Sequence, residues 1–555
     1  MKRTSLTLIA AAAAISAGIG VVSAPSATAR TTPTAQQAAH AGQSSLGADY
    51  TPPPIEWGEC PTASLQRAGA VCGMLTVPLD YSRPKGTKIQ LAVSKVAHKT
   101  SDADAQGAML VNPGGPGGSG LGLARLGQFV PKQGGDPYDW IGFDPRGVGR
   151  STPQLSCDGD YAAPGRPAYV PEGPATERFW LSKAAAYAAD CGRAQPEFLR
   201  NNRTTDTVAD MESLRKALGE RKINFYGFSY GTYLGQVYAT LHPERVRRFV
   251  FDGVVDPRNV WYEANLNQER QFDANIDTFF NWVAENDDAY GLGTDGRKVR
   301  AIYYDILEQL TDDPEENFGA ADWNDVFVSA AYYVYDWDSF AHILAAAAGG
   351  DLGPAKEWYG NPTGPGADNG FASYLSVQCT DVQWPSWRKQ RHDAYKLAAT
   401  KPFLTWNNTW YNAPCLTWPA PAGTPVKVDG RKAPGILMIE ETYDAATPWA
   451  GAIEVRKRFP RSALIEGVGG TTHSGSLSGV ACTDDRIADY LLTGELPQRK
   501  PGNNRSDVKC DPVPTPEPTP VEGAGAAADS QKAAGAASRL GSLRTQLVDA
   551  QLVSR

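Results

Sequence analysis

The segment that most restricts how this chain can fold is residues 223–241. An apolar run (INFY) meets Gly227-Phe228-Ser229-Tyr230-Gly231 and passes at once into a helix-forming run (TYLGQVYATL). A strand that turns into a helix with no linker forces the turn residue into a strained backbone, and the crowding leaves room only for small neighbours. Gly227 and Gly231 meet that demand. Ser229 is then left with its hydroxyl standing out of the turn. A bare GxSxG recurs by chance; the strand before it and the helix after it make Ser229 a candidate nucleophile rather than part of an ordinary Gly/Ser turn.

The same alternation extends to both sides. Residues 88–96, 108–112 and 139–144 read as strands, and 205–218 as a helix with Thr205 or Asp206 as its cap and Gly219 as its stop. Strand 223–227, helix 230–241 and strand 248–252 follow. Strands alternating with helices predict a mostly parallel sheet covered on both faces. Over residues 255–430 the texture changes: aromatics crowd helical segments such as 272–283 and 330–346, and strand runs are scarce. The first pattern returns with strand 435–440, helix 450–458 and strand 462–466. A core in two parts, 51–254 and 431–510, interrupted by a helical cap at 255–430, is therefore expected; 555 residues exceed what one hydrophobic core usually holds.

The two ends read differently. Lys2 and Arg3, an apolar run over 6–22 and the small residues Ala27-Thr28-Ala29 have the order of a secretory signal peptide cleaved after Ala29. Residues 30–50 read as a leader or propeptide, and 511–555 as a Pro/Gly/Ala-rich tail. The protein is expected to be secreted and extracellular, either free or held at the cell wall by that tail. No later stretch has 18 unbroken apolar residues, so no membrane span is expected. All eight cysteines, at 60, 72, 157, 191, 379, 415, 482 and 510, follow the apolar run. In an oxidising compartment an even count predicts disulfides, and joining neighbours in chain order closes short loops without crossing a domain boundary. There is no CxxC pair or Cys/His cluster, so neither a metal nor another cofactor is expected. The net charge of −8 is scattered, with no basic stripe, which argues against nucleic acid as a partner.

A serine needs a base and an orienting acid downstream. Among the six histidines, His40 is in the leader, His98 and His242 flank early elements, and His342 and His392 fall in the cap. His473 alone follows the last strand, in the glycine-bounded loop GGTTHSG. The acid should close the preceding strand. Glu440, Glu441 and Asp444 compete there; Asp444 is preferred because it precedes a turn and Pro448, whereas Glu440 sits too near the strand body. Its alternative role is to cap the helix from Pro448. Upstream, residues 112–120 (NPGGPGGSG) end a strand where glycines let main-chain amides approach a developing oxyanion. No Lys-Ser/Thr pair follows those glycines and two prolines interrupt them, so a phosphate-cradling loop is not indicated.

Taken together, GGPGGSG, GFDPRGVGRS (142–151), YGFSYGTYLG (226–235), YDAATP (443–448) and VPLDY (77–81) resemble the prolyl-aminopeptidase-like serine peptidases, and among them the secreted tripeptidyl aminopeptidases of filamentous soil bacteria. The likeness runs from about Trp57 to Cys510. It implies an α/β-hydrolase fold with a large helical cap, a triad of Ser229, Asp444 and His473, and oxyanion-hole amides from Gly115 and Tyr230. The implied activity is release of short peptides, tripeptides above all, from the free N-termini of peptides or proteins, with an esterase or lipase using the same triad as the rival. Related prolyl aminopeptidases begin the glycine loop with His, where this chain has Pro113. An aminopeptidase also needs a carboxylate for the substrate ammonium; Glu263, Asp336, Asp338 and Asp381 are among those offered by the cap, and the sequence does not choose between them. Tyr332, Tyr333, Tyr335 and Trp337 read as cap core or pocket lining.

Overall fold

Short runs that are apolar at every position cannot lie on an exposed face, and here they form the middle of a sheet. The computed structural model describes residues 50–521; the expected signal peptide and leader, and the tail beyond 521, lie outside the described residues. Its strands are β1 (Gly58–Glu59), β2 (Val71–Pro78), β3 (Lys88–Val96), β4 (Ala108–Asn112), β5 (Asp139–Phe143), β6 (Ile223–Phe228), β7 (Val246–Asp252), β8 (Leu437–Glu441), β9 (Ala463–Gly467) and β10 (Val508–Cys510). They join in the order β1-β2-β3-β5-β4-β6-β7-β8-β9-β10. Pairing is antiparallel from β1 to β5 and parallel from β5 to β10.

The helices that bear on the site are α1 (Pro174–Ala194), α2 (Thr204–Ala217), α3 (Tyr230–Leu241), α4 (Tyr262–Glu285), α5 (Ala320–Tyr332), α6 (Trp337–Ala348), α7 (Asn369–Asp381), α8 (Pro402–Tyr411), α9 (Ala450–Arg458) and α10 (Ala481–Thr493). Alternation along each strand divides the core into two layers. Leu110, Phe225, Phe249 and Met438 pack with Met211, Leu214 and Val237 of α2 and α3. Met109, Tyr226, Val250 and Leu437 face the other way, onto Ile487 and Leu491 of α10. Between β7 and β8 the chain leaves the sheet for α4–α8, whose Phe279, Trp323, Phe327, Trp337 and Phe340 form an aromatic core of their own.

Two expectations need correction. The helix before β6 starts at Thr204, with Arg203 at its N-cap, and Asp206 accepts from the Arg203 amide at 2.9 Å instead of standing at the cap itself. The helical stretch expected over 330–346 is two helices, because the chain is extended at Tyr333 and the loop around His473 docks into the break: the His473 amide donates to Tyr332 O at 2.9 Å and the Val334 amide to Thr472 Oγ1 at 3.2 Å. Strand β2 and helix α1 are further elements that the sequence periodicity does not single out; in α1 the apolar spacing is diluted by polar and small residues. The four disulfides, 60–72, 157–191, 379–415 and 482–510, do join cysteines in chain order. Among the described residues no helix is long and apolar enough to cross a membrane.

Candidate active site

Ser229 sits between β6 and α3 with φ 53° and ψ −127°, a backbone that a side chain adopts only when its surroundings dictate it. The surroundings are visible in its flanking glycines. A Cβ on Gly227 would lie 2.6 Å from Gly231 O, and one on Gly231 would lie 2.7 Å from Asn112 O. The Ser229 amide donates to Asp252 O at the end of β7 (2.9 Å), and its carbonyl accepts from the Thr232 amide (2.8 Å) and hydroxyl (2.7 Å). The glycine-rich loop after β4 arches over the turn so closely that a Cβ on Gly114 would come within 2.8 Å of Ser229 Cβ. Asp144 holds that loop: its carboxylate accepts from Ser119 Oγ (2.6 Å), the Leu121 amide (3.0 Å) and the Arg150 amide (2.8 Å). The DPRG segment thus has a task that its residue types alone did not disclose.

His473 and Asp444 meet over the ends of β8 and β9. His473 Nδ1 donates to Asp444 Oδ2 at 2.7 Å, with His473 1% and Asp444 0% exposed. Asp444 is held rigidly, since Oδ1 accepts from the Ala446 and Thr447 amides (both 2.9 Å) and Oδ2 also from Thr447 Oγ1 (2.9 Å). It therefore caps the turn before Pro448 and orients the imidazole at once. The rings of Tyr332 and Tyr333 stand 5.8 and 6.2 Å from that imidazole. The far ring nitrogen, Nε2, is buried and has no hydrogen-bond partner. Ser229 and the loop of His473 converge on one carbonyl: Ser474 Oγ reaches the same Asp252 O at 3.5 Å that Ser229 N holds.

Glu440 and Glu441 have other work. Glu440 accepts from the Val254 amide at 2.6 Å, and Glu441 from the Thr472 and Val513 amides, each at 2.7 Å. Glu441 so ties the loop of His473 to the chain after the last disulfide. Four carboxyl groups gather here. Burial pushes Asp252 up to about 7 and Glu441 up to about 8, and lifts Glu440 well above the usual range, with Asp444 adding like-charge repulsion in each case.

A cavity of about 390 Å³ opens beside Ser229, Gly115 and Tyr230 and runs under the cap. Of the aromatic set, Tyr332 lines it, Tyr333 packs on His473, Tyr335 bonds Ser478 Oγ (2.8 Å), and Trp337 donates to Ala330 O (2.7 Å) inside the cap. None of the four acids singled out in the cap lines the cavity. Glu263 is exposed, Asp336 is half-buried, and Asp338 accepts from Tyr290 Oη and Thr519. Asp381, which burial pushes up to about 6, accepts from Thr204 and Trp261 behind Tyr230. The acids that do line it are Asp256 and Asp325. No sequence signal separates those two from the many solvated acids around them. Among the described residues, no group of three or more His, Cys, Asp or Glu is placed to hold a metal.

Residues 107–471 match the family model described as alpha/beta hydrolase fold. The tripeptidyl aminopeptidase of Streptomyces coelicolor is 38% identical over 83% of this chain and 86% of its own. Serine protease Hip1 of Mycobacterium tuberculosis is 29% identical over 80% of this chain and 90% of its own. Carboxylesterase B of the same organism is 29% identical over 81% and 90%.

Proposed function

The chain belongs to the α/β-hydrolase fold family and is a serine peptidase of that fold, and from this premise we propose that it is a secreted tripeptidyl aminopeptidase with Ser229 as nucleophile, His473 as base and Asp444 as orienting acid. The observation that supports the assignment is His473 itself, clamped through Nδ1 to a buried carboxylate while Nε2 is left without a partner, on a loop that shares the Asp252 carbonyl with the strained serine. In this reading Nε2 takes the Ser229 proton as Oγ attacks the scissile carbonyl, and Asp444 stabilises the imidazolium. The amides of Gly115 and Tyr230 receive the oxyanion, each contributing roughly 3 kcal/mol. His473 then hands its proton to the leaving amine, freeing the shortened peptide. Water, deprotonated by the same nitrogen, releases the N-terminal fragment from the acyl-enzyme.

The helical roof favours a substrate that enters by one end, and the similarity to a tripeptidyl aminopeptidase supports a short released fragment. The basic and apolar N-terminal segment and the four disulfides support export. Parallel assays test the proposal: tripeptidyl anilides with free and acetylated N-termini, short-chain esters, and mass spectrometry of the products from one unblocked peptide. Ser229→Ala should stay folded, lose fluorophosphonate labelling and turn over nothing. Preference for the esters, or indifference to the acetyl group, would sink the aminopeptidase reading.

A further inference from the structure

One wall of the cavity is a single face of α5, formed by Asp325, Val328 and Tyr332. These positions recur at the spacing that keeps side chains on one side of a helix. Tyr332 stands at the catalytic end, where its carbonyl accepts from the His473 amide and its ring lies edge-on to the imidazole. Asp325 lies seven residues upstream (332 − 325). At about 1.5 Å of rise per residue, that is about 10 Å along the wall. Three residues of extended peptide, at about 3.3 Å each, cover about the same length.

The charge balance at Asp325 leaves room for a cation. Arg166 faces two carboxylates, Asp322 at 2.8 Å and Asp325 at 2.6 Å, so one positive charge meets two negative ones. Asp322 is enclosed and further satisfied by the amides of Gly165 (2.6 Å) and Gly319 (2.8 Å). Asp325 accepts from Tyr169 Oη and Asn407 Nδ2 as well, yet its side chain keeps 18% exposure and it is among the residues that line the cavity. Burial pushes its carboxyl up and Arg166 opposes that push. An incoming ammonium would supply the second opposing charge. The arginines of the cavity wall are engaged elsewhere: Arg258 with Asp256, and Arg270 with Leu266 O and Asn267 Oδ1.

A second, independent feature points to a peptide backbone. Gln378 is 4% exposed and lines the cavity, and its Oε1 is buried without a hydrogen-bond partner. Tyr411, on the same lining, has a hydroxyl in the same condition. A buried acceptor with no donor keeps its desolvation penalty uncompensated, which an N–H of an extended peptide would relieve.

We propose that Asp325 receives the N-terminal ammonium of the substrate, and that the stretch of α5 from Asp325 to the Tyr332–His473 contact is the ruler that sets the released fragment at three residues. This rests on the reading of Ser229, His473 and Asp444 given above. Asp325 is a specificity-determining residue here, separate from the chemistry at Ser229.

The test measures kcat and KM of wild type, Asp325→Asn and Asp325→Glu on di-, tri- and tetrapeptidyl anilides, each with free and acetylated N-termini. In D325N the preference for the free tripeptide over its acetylated form should fall roughly 100-fold, mainly through KM, as expected when one partner of a desolvated charge pair is removed. D325E advances the carboxylate by one methylene and should move the length preference toward dipeptides. Fluorophosphonate labelling of Ser229 reports whether each variant keeps an intact site. If D325N does not fold, D325E decides alone: unchanged fragment length and unchanged free-amine preference overturn the ruler. If wild type itself ignores the acetyl group, the aminopeptidase reading fails, and the ruler with it. If wild type demands a free N-terminus and labelled D325N still does, only the ruler fails.

Discussion

Gly253→Ala should disable turnover without touching the cavity. Gly253 follows β7 at φ +68°, beneath the imidazole. A Cβ built there lies 2.8 Å from His473 Cε1, 2.9 Å from Ser474 Oγ and 3.1 Å from His473 Nδ1. Carbon–carbon contacts settle no closer than about 3.5 Å, so the ring must retreat by about 0.7 Å (3.5 − 2.8). It has nowhere to go that keeps its bond to Asp444, because Tyr332 and Tyr333 pack against it. A misplacement of about 1 Å at a reacting group lowers the rate by about 10²-fold, so kcat should fall by about 30–100-fold with KM nearly unchanged. Alanine at a positive φ adds about 1–2 kcal/mol of backbone strain. Gly219→Ala isolates that strain: Gly219 has φ +74°, and a Cβ there meets nothing within 4 Å. The assay is steady-state kinetics on a tripeptidyl anilide beside urea unfolding of both variants. G219A should lose only the backbone strain, G253A that strain plus the cost of the clash, and only G253A should lose kcat. A G253A enzyme within threefold of wild type, or a G219A enzyme equally impaired, would refute the reasoning.

Asp444→Asn keeps an oxygen for the Ala446 and Thr447 amides but turns an NH2 toward His473 Nδ1, selecting the tautomer that cannot take the serine proton. The expected result is a folded enzyme with kcat down by about 10⁴-fold, read from the same anilide assay. Stability should also depend on pH through Glu441. Its carboxyl is raised in the folded protein, so its contribution is complete below about 4.5 and is lost as pH rises toward about 8. Over that window the slope approaches about 1.4 kcal/mol per pH unit. Glu441→Gln should flatten the slope in urea unfolding at pH 5, 6.5 and 8; parallel curves for the two proteins would count against the assignment.

The elements around Ser229 were legible in advance because their causes are local. Apolar runs and their flanking turn residues predict β3, β4 and α3 to the residue. The steric need for glycine at 227 is a matter of neighbours along the chain, although that at 231 comes from Asn112 of β4, and the cysteine pairs close loops of 12 to 36 residues. His473 stands out as the one histidine of six that follows the last strand, and Asp444 by its place after a strand. Nothing in the sequence showed that the helix expected over 330–346 would break at Tyr333, because the break is made by a loop 140 residues away in the chain (473 − 333) docking its backbone there.

The sequence by itself determined the strand-turn-helix at Ser229, the resumption of the sheet after a long helical excursion and the order of the candidate catalytic side chains, because these depend on periodicity, turn chemistry and order along the chain. Only the tertiary structure decided which of many cap acids faces the cavity. It also decided that Glu441 fastens a loop while Asp444 orients a ring, and that Asp144 pins the glycine-rich arch. Those outcomes turn on which buried donors a carboxylate meets when distant segments pack, and a carboxylate carries no mark of its future partners in the chain around it.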